Sequence, residues 1–251
     1  MTTNKKSDYI YGLHTVNSLL KSSPNSIKKI FIKKTDNKNI KSIIKIANNY
    51  RLKIIESTHT QLATIAMTNK HQGVVCEILK ANYSDFSIDS YLQYNKKPFI
   101  LILDNIQDPR NLGSCIRTGN AAGISLIIKK KSNSSSLSPV AQKSSSGGLQ
   151  GISYYETNNV GNILKKLKKN NIKIIGTDHN SKKNIYQLKC NPNNGVAVIL
   201  GSEGDGVSRS LLEKCDEIYS IPIYGSVECL NVSVATGIVL YEISRKLKNN
   251  K

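Results

Sequence analysis

Four short apolar runs alternate with stretches of helical periodicity: "FILILD" at 99–104, "ISLIIKK" at 124–130, "IKIIGTD" at 172–178 and "VAVIL" at 196–200. This alternation limits the fold more than any other feature of the chain. An uninterrupted apolar run of this length is a strand buried on both faces, and such strands pair in parallel sheets covered by helices on either side. Crossovers between parallel strands are right-handed, and ligands sit beyond the carboxyl ends of the strands. Helices are predicted over about 111–122, 159–170 and 230–247, with a short one begun by Ser138 and Pro139, and further strands over 149–155 and in "EIYSIPI".

Residues 8–80 repeat the alternation on a smaller scale. "DYIYGLHTVNSLL" is predicted helical, "IKKIFI" and "LKII" are strands, and "NIKSIIKIANNY" and "STHTQLATIAM" are helices before the strand "GVVCEIL". The segment 81–97 has no sustained period and is predicted to be a linker. The expected organisation is therefore a small α/β domain over 1–80, a linker over 81–97, and a larger parallel-sheet α/β domain over 98–251.

With 36 Lys and Arg against 17 Asp and Glu, the chain carries a net charge of +19, which favours a polyanionic partner, nucleic acid first. Lys, Asn and Ile are abundant throughout, so compositional drift explains part of that charge. Against this background the arginines are informative, because only five of the 36 basic residues are Arg. A position that keeps a planar fork where lysine is the default points to a need for bidentate geometry. Arg110 and Arg117 lie in "DPRNLGSCIRTGNAAG", and Arg209 follows a glycine turn. The five cysteines form no CxxC and no paired His spacing, which argues against a metal site and a disulfide framework and for a reducing cytoplasm. No run approaches the roughly 18 residues needed to span a bilayer, so a soluble cytoplasmic protein is expected.

Three strands end in turns of small and polar residues: "ILDNIQDPRNLGSCIRTG", "ILGSEGDGVSRS" and "SIPIYGSVECLNVSVATG". In a parallel sheet all three endings share one edge and can line one pocket. The glycine turn fits neither the dinucleotide fingerprint nor the phosphate loop, and Glu203 and Asp205 would repel a triphosphate. It suits a ligand that is neutral or cationic at its reactive end. Asn111 is either a helix cap or a ligand contact. Arg117, among apolar neighbours, is expected to be buried or pocket-facing with Glu203 as its partner. Asn231 and Ser233, at the start of the last helix, are candidates both for capping and for ligand hydrogen bonds.

These three segments resemble the three motifs of the SpoU, or TrmH-like, branch of the SPOUT RNA methyltransferases, with "GSVECLNVSVATG" especially close. "YGLHTVNSLL" and "HQGVV" are similar to the small N-terminal domain of family members that act on ribosomal RNA. The resemblance implies an L30e-like RNA-binding domain and a SPOUT-type parallel-sheet domain whose C-terminal segment forms a trefoil knot. It implies S-adenosylmethionine as cofactor, held around Gly201, Ile221 and Leu230, with Leu200, Ser202, Gly204, Pro222 and Ser233 beside them. Asn111, Arg117, Glu203 and Asn231 fall on the family's catalytic positions. The implied reaction is 2'-O-methylation of a guanosine in 23S rRNA by a homodimer without metal. Weighed against it are a tRNA methyltransferase, a non-catalytic RNA-binding protein and a dinucleotide-dependent oxidoreductase. Where the family has Ser two residues before the motif's Asn, this chain has Cys229, a weaker hydrogen-bonding side chain.

Overall fold

The computed structural model describes residues 8–22, 24–78, 86–149 and 151–248. The small domain runs β1 (Asp8–Tyr11), α1 (Leu13–Ser22), β2 (Ile27–Ile32), α2 (Lys38–Asn49), β3 (Lys53–Glu56), α3 (His59–Ala66) and β4 (Val74–Ile78). Its sheet has the order β1-β4-β2-β3. The start of "DYIYGLHTVNSLL", predicted helical, is instead strand β1, which pairs antiparallel with β4. Tyr9 and Tyr11 alternate with Ile10 across the sheet, and Gly12 ends the strand before α1 begins. A tertiary pairing partner 60 or more residues away outweighs the local preference here. Val16, Leu20, Ile30, Ile43 and Cys76 fill one side of this sheet, and Tyr11, Leu62 and Val75 the other.

The large domain continues with α4 (Ile88–Tyr94), β5 (Phe99–Leu103), α5 (Pro109–Ala122), β6 (Leu126–Lys130), α6 (Pro139–Ser145), β7 (Ser153–Thr157), α7 (Val160–Lys169), β8 (Lys173–Thr177), β9 (Val196–Leu200), α8 (Arg209–Leu212), β10 (Glu217–Tyr219) and α9 (Val232–Lys248). Part of the predicted linker is therefore the helix α4, since Ser87 caps it and Ile88 and Leu92 are buried against the sheet. Two apolar positions one turn apart are too few to show a period in the sequence. Residues 81–85 of that segment lie outside the described residues. Strand β7 starts four residues later than the 149–155 predicted for it.

All six strands of the large sheet are parallel, in the order β10-β8-β9-β5-β6-β7. Alternate residues of β5 feed two cores. Leu101 and Leu103 pack with Leu112, Ile116, Val239 and Ile243 from α5 and α9. Ile100 and Ile102 pack with Leu164, Leu167 and Leu211 from α7 and α8. The chain builds β5, β6 and β7 outward in one direction, then crosses to the other side of β5 to build β8, β9 and β10. That reversal leaves a crevice at the carboxyl ends of β5 and β9, where ligand sites form in doubly wound sheets.

Helix α6 lies against α5 with no room between them: a Cβ on Gly113 of α5 would stand 2.3 Å from the Ala141 carbonyl oxygen of α6. The small domain touches the same helix. Lys143 Nζ donates to the Lys70 carbonyl (3.2 Å) and sits 5.0 Å from the centre of the Tyr11 ring.

Candidate functional site

At the end of β5 the chain enters Asp104, which is fully buried. Its Oδ2 accepts from the Ser208 N–H at 2.8 Å, and Lys130 Nζ stands 3.3 Å from its Oδ1. One carboxylate thus ties the first strand ending to the far end of the glycine turn, with a charge partner from β6. Asp104→Asn keeps an acceptor for Ser208 but loses the charge that faces Lys130. It is expected to cost about 1–2 kcal/mol, read as a lower midpoint in urea denaturation.

The glycine turn itself folds back on its own backbone. Gly206 N–H donates to the Ser202 carbonyl (3.1 Å), and a Cβ on Gly201 would stand 1.9 Å from the Gly206 carbonyl carbon and oxygen. Only glycine fits at 201. This fold-back turns Glu203 toward the other two strand endings.

There Glu203 Oε1 gathers three donors. Asn111 Nδ2 reaches it at 3.3 Å, the Val232 N–H at 3.2 Å, and Asn231 Nδ2 makes a shorter bond still. Asn231 Nδ2 also donates to Asn111 Oδ1 (3.1 Å), which closes a triangle of one acid and two amides. Asn111 is free for this because Asp108 caps α5, its side chain accepting from the Arg110 N–H. Asn231 takes the capping role: its Oδ1 accepts from the Ser233 N–H (2.9 Å) at the start of α9, while its amide nitrogen serves the triangle.

Arg117 does not join them. It is exposed, and among the described residues it makes no ion pair or hydrogen bond. The expected Arg117–Glu203 pair is thus replaced by Glu203 with the two asparagines. The reason is helical: six residues beyond Asn111, Arg117 stands about 9 Å along α5 and a third of a turn away from its face.

Two adjoining clefts flank the triangle. One, of about 210 Å³, is lined by Leu200, Gly201, Ser202, Ile221 and Leu230 among the residues assigned to the cofactor from sequence. Gly204, Pro222 and Ser233 do not line it. Thr177, Asp178, His179 and Asn180 do, and the sequence reading passed over them. They end β8, which the topology inserts between β9 and β10, and their signal was present as a fourth apolar run that stops at polar residues. Cys229 also faces this cleft and is exposed. By contrast, burial raises the thiols of Cys115 and Cys215 up to about 11. No lysine or arginine lines the cleft, whereas Asp178 and Asp205 do. The second cleft, of about 250 Å³, holds Asn111 and Glu203 with Gln107, Asp108, Ser202 and Asp205. The three expected strand endings thus meet, as expected, in one cleft, the second, and two of them also line the first.

Fold and site together define an α/β protein with a ligand cleft at a strand-switch crevice and an acid–amide cluster beside it. Solved structures share this architecture. The SpoU methyltransferase AviRb from Streptomyces viridochromogenes, in complex with AdoMet, superposes with a TM-score of 0.77 over 98% of this chain and 94% of its own at 19% identity. Residues 98–241 match the model of the SpoU rRNA Methylase family, and residues 9–84 match that of RNA 2'-O ribose methyltransferase substrate binding. The chain belongs to the SpoU rRNA methylase family. Its curated relatives include the 23S rRNA (guanosine-2'-O-)-methyltransferases RlmB of Haemophilus ducreyi and of Neisseria meningitidis serogroup B. The first is 33% identical over 96% of this chain and 98% of its own length, the second 36% identical over 96% and 97%.

Proposed function

We propose that this protein methylates the ribose 2'-hydroxyl of a guanosine in 23S rRNA, in the peptidyl-transferase P-loop, with S-adenosylmethionine as the methyl donor. The observation that carries the reading is the acid–amide triangle of Glu203, Asn111 and Asn231 set beside a cleft with acids and, among the described residues, no lysine or arginine. That lining fits S-adenosylmethionine, which carries a sulfonium, an ammonium and no phosphate. When bound, this group supplies a methyl on a positively charged sulfur, ready for displacement by an oxygen nucleophile.

The protein's own work is to place the hydroxyl and manage its proton. Glu203 fixes both amides through Oε1, so Asn111 holds a fixed orientation toward the second cleft and Asn231 braces it. Effective concentration and alignment are the largest contributions such a site can make. Arg117 acts as a clamp on an RNA phosphate, for which its exposure and lack of a protein partner suit it. A guanidinium stays charged at neutral pH and is a poor base, and an RNA phosphate oxygen takes the hydroxyl proton in this reading. Arg117→Lys is expected to lower turnover at saturating RNA by about 10-fold, the worth of one bidentate contact. Wild-type turnover in that variant would remove the clamp from the mechanism.

The small domain, read as L30e-like, delivers structured RNA to the site. Its match to a substrate-binding family model, together with full-length relatives named for 23S rRNA, favours ribosomal RNA over the tRNA alternative. The SPOUT assignment also carries a trefoil knot in the segment that ends in α9 and a homodimer. The exposed Val234 and Tyr241 of α9 support a subunit contact along that helix. The test is transfer of a tritiated methyl from S-adenosylmethionine into unmodified 23S rRNA, with fragment mapping and a tRNA pool in parallel. A single 2'-O-methylguanosine in the P-loop is the expected result. Label in tRNA alone, or none in either RNA, would overturn it.

A further inference from the structure

A third cleft, of about 460 Å³, opens beside the acid–amide triangle and is lined by Asn105, Gln107, Asn133, Ser134, Ser135 and Asp205. We propose that this cleft is the subsite that reads the base of the target nucleotide, and that Asp205 and Gln107 make it selective for guanine. The proposal rests on the methyl-transfer reading above and names what that reading left open.

Position is the first argument. Gln107 and Asp205 line both this cleft and the one that holds Asn111 and Glu203, so the two are continuous. In a nucleotide the base is attached to the ribose carbon next to the one bearing the 2'-hydroxyl. A hydroxyl held at the triangle therefore puts its base into a space that adjoins the triangle. The cofactor cleft occupies one such space, and the third cleft is the other.

Chemistry is the second. The lining consists of amides, hydroxyls and one carboxylate, with neither an apolar side chain nor a Lys or Arg. A phosphate would find no cation there. In a chain with 36 basic residues against 17 acidic ones, Asp205 is an acid facing RNA, and among the described residues it forms no ion pair or hydrogen bond. Such a group repels the backbone of its own substrate unless it accepts hydrogen bonds from a base. Guanine presents two adjacent donors, N1–H and the 2-amino group, which match the two oxygens of a carboxylate. Its O6 accepts from an amide such as that of Gln107. Adenine presents an acceptor at N1, and inosine lacks the 2-amino group.

The wall of the cleft is also held in place. Asn105 and Asn133 both adopt left-handed backbone conformations, with φ of 57° and 54°. The loop carrying Asn133 is tied to the β5 ending by the Ser135 N–H, which donates to the Ile106 carbonyl at 2.7 Å. Polar groups read a base well when they are fixed before it arrives.

The experiment compares kcat/KM on RNA fragments carrying guanosine, inosine or adenosine at the target position. It uses the full chain as wild type, Asp205→Asn and Gln107→Ala, with the S-adenosylmethionine Kd of each measured by calorimetry. The wild type is expected to prefer guanosine over inosine by about 10-fold or more, the worth of the one hydrogen bond from the 2-amino group to a carboxylate. In Asp205→Asn that preference collapses towards one, because a carboxamide offers one acceptor; Asp205 also lines the cofactor cleft, so the three RNAs are compared at saturating S-adenosylmethionine, where a change in cofactor Kd acts on all three alike. Gln107→Ala, an exposed position, weakens the guanosine rate without touching the cofactor. The subsite is overturned if both variants keep the wild-type base preference, or if Asp205→Asn weakens only cofactor binding. Equal wild-type rates on all three bases would overturn the subsite and leave the methyl-transfer reading standing; no transfer to any RNA would overturn both.

Discussion

Glu203→Ala is expected to lower kcat by about 10²-fold while S-adenosylmethionine still binds. The carboxylate is not itself part of the first cleft's lining and reaches it through the Val232 N–H, so the cofactor keeps most of its contacts. What is lost is the common acceptor of Asn111, Asn231 and the Val232 N–H. Without it each asparagine regains its rotamers, and the start of α9 loses a bond that draws it toward the glycine turn. A misplacement of about 1 Å at a reacting group costs on the order of 10²-fold. Single-turnover kinetics with saturating RNA and cofactor separate this from a binding defect. A variant whose KM for RNA rises while kcat holds would show that Glu203 binds substrate rather than orienting the amides.

Gly201→Ala has a different signature. The new methyl would overlap the Gly206 carbonyl at 1.9 Å and the Val207 nitrogen at 2.2 Å, and both are backbone that cannot rotate away. Either the turn opens or β9 shifts in register against β5, where Leu200 pairs with Leu103. Overpacking of this kind costs about 3 kcal/mol, which for a domain of this size lowers Tm by roughly 6–12 °C. Because the turn lines the first cleft, cofactor binding is lost with it. Calorimetry and thermal melting should therefore move together, whereas in Glu203→Ala cofactor binding persists. A Gly201→Ala protein that melts like the wild type would mean that the turn has slack the structure does not show.

The parallel sheet was legible because β5, β6, β8 and β9 are apolar on both faces, a pattern no amphipathic element imitates. Strand β1 was not, since four residues of mixed character declare themselves only through β4, some 60 positions later. The helix α4 escaped for the same reason, its two buried residues making sense only against the sheet that receives them. Within the site, the residue types at 111, 203 and 231 could be picked out, but not who bonds to whom. Arg117 looked like the natural partner of Glu203 because charge is visible in a sequence and direction around a helix is weighed less readily. The amides won that acid because Asp108 took over the cap and left Asn111 free. The β8 ending was passed over because its place between β9 and β10 depends on a crossing of the sheet that no local pattern announces.

The grip of Lys143 on the small domain has a mechanical meaning. Its helix, α6, meets the backbone of α5 at Gly113 with less than an atom's width to spare, so the two helices cannot slide independently. A pull on the small domain by a folded RNA is carried through Lys143 into α6 and delivered to the helix that bears Asn111. The small domain is thus a handle on the site, and Lys143 is one link in its load path.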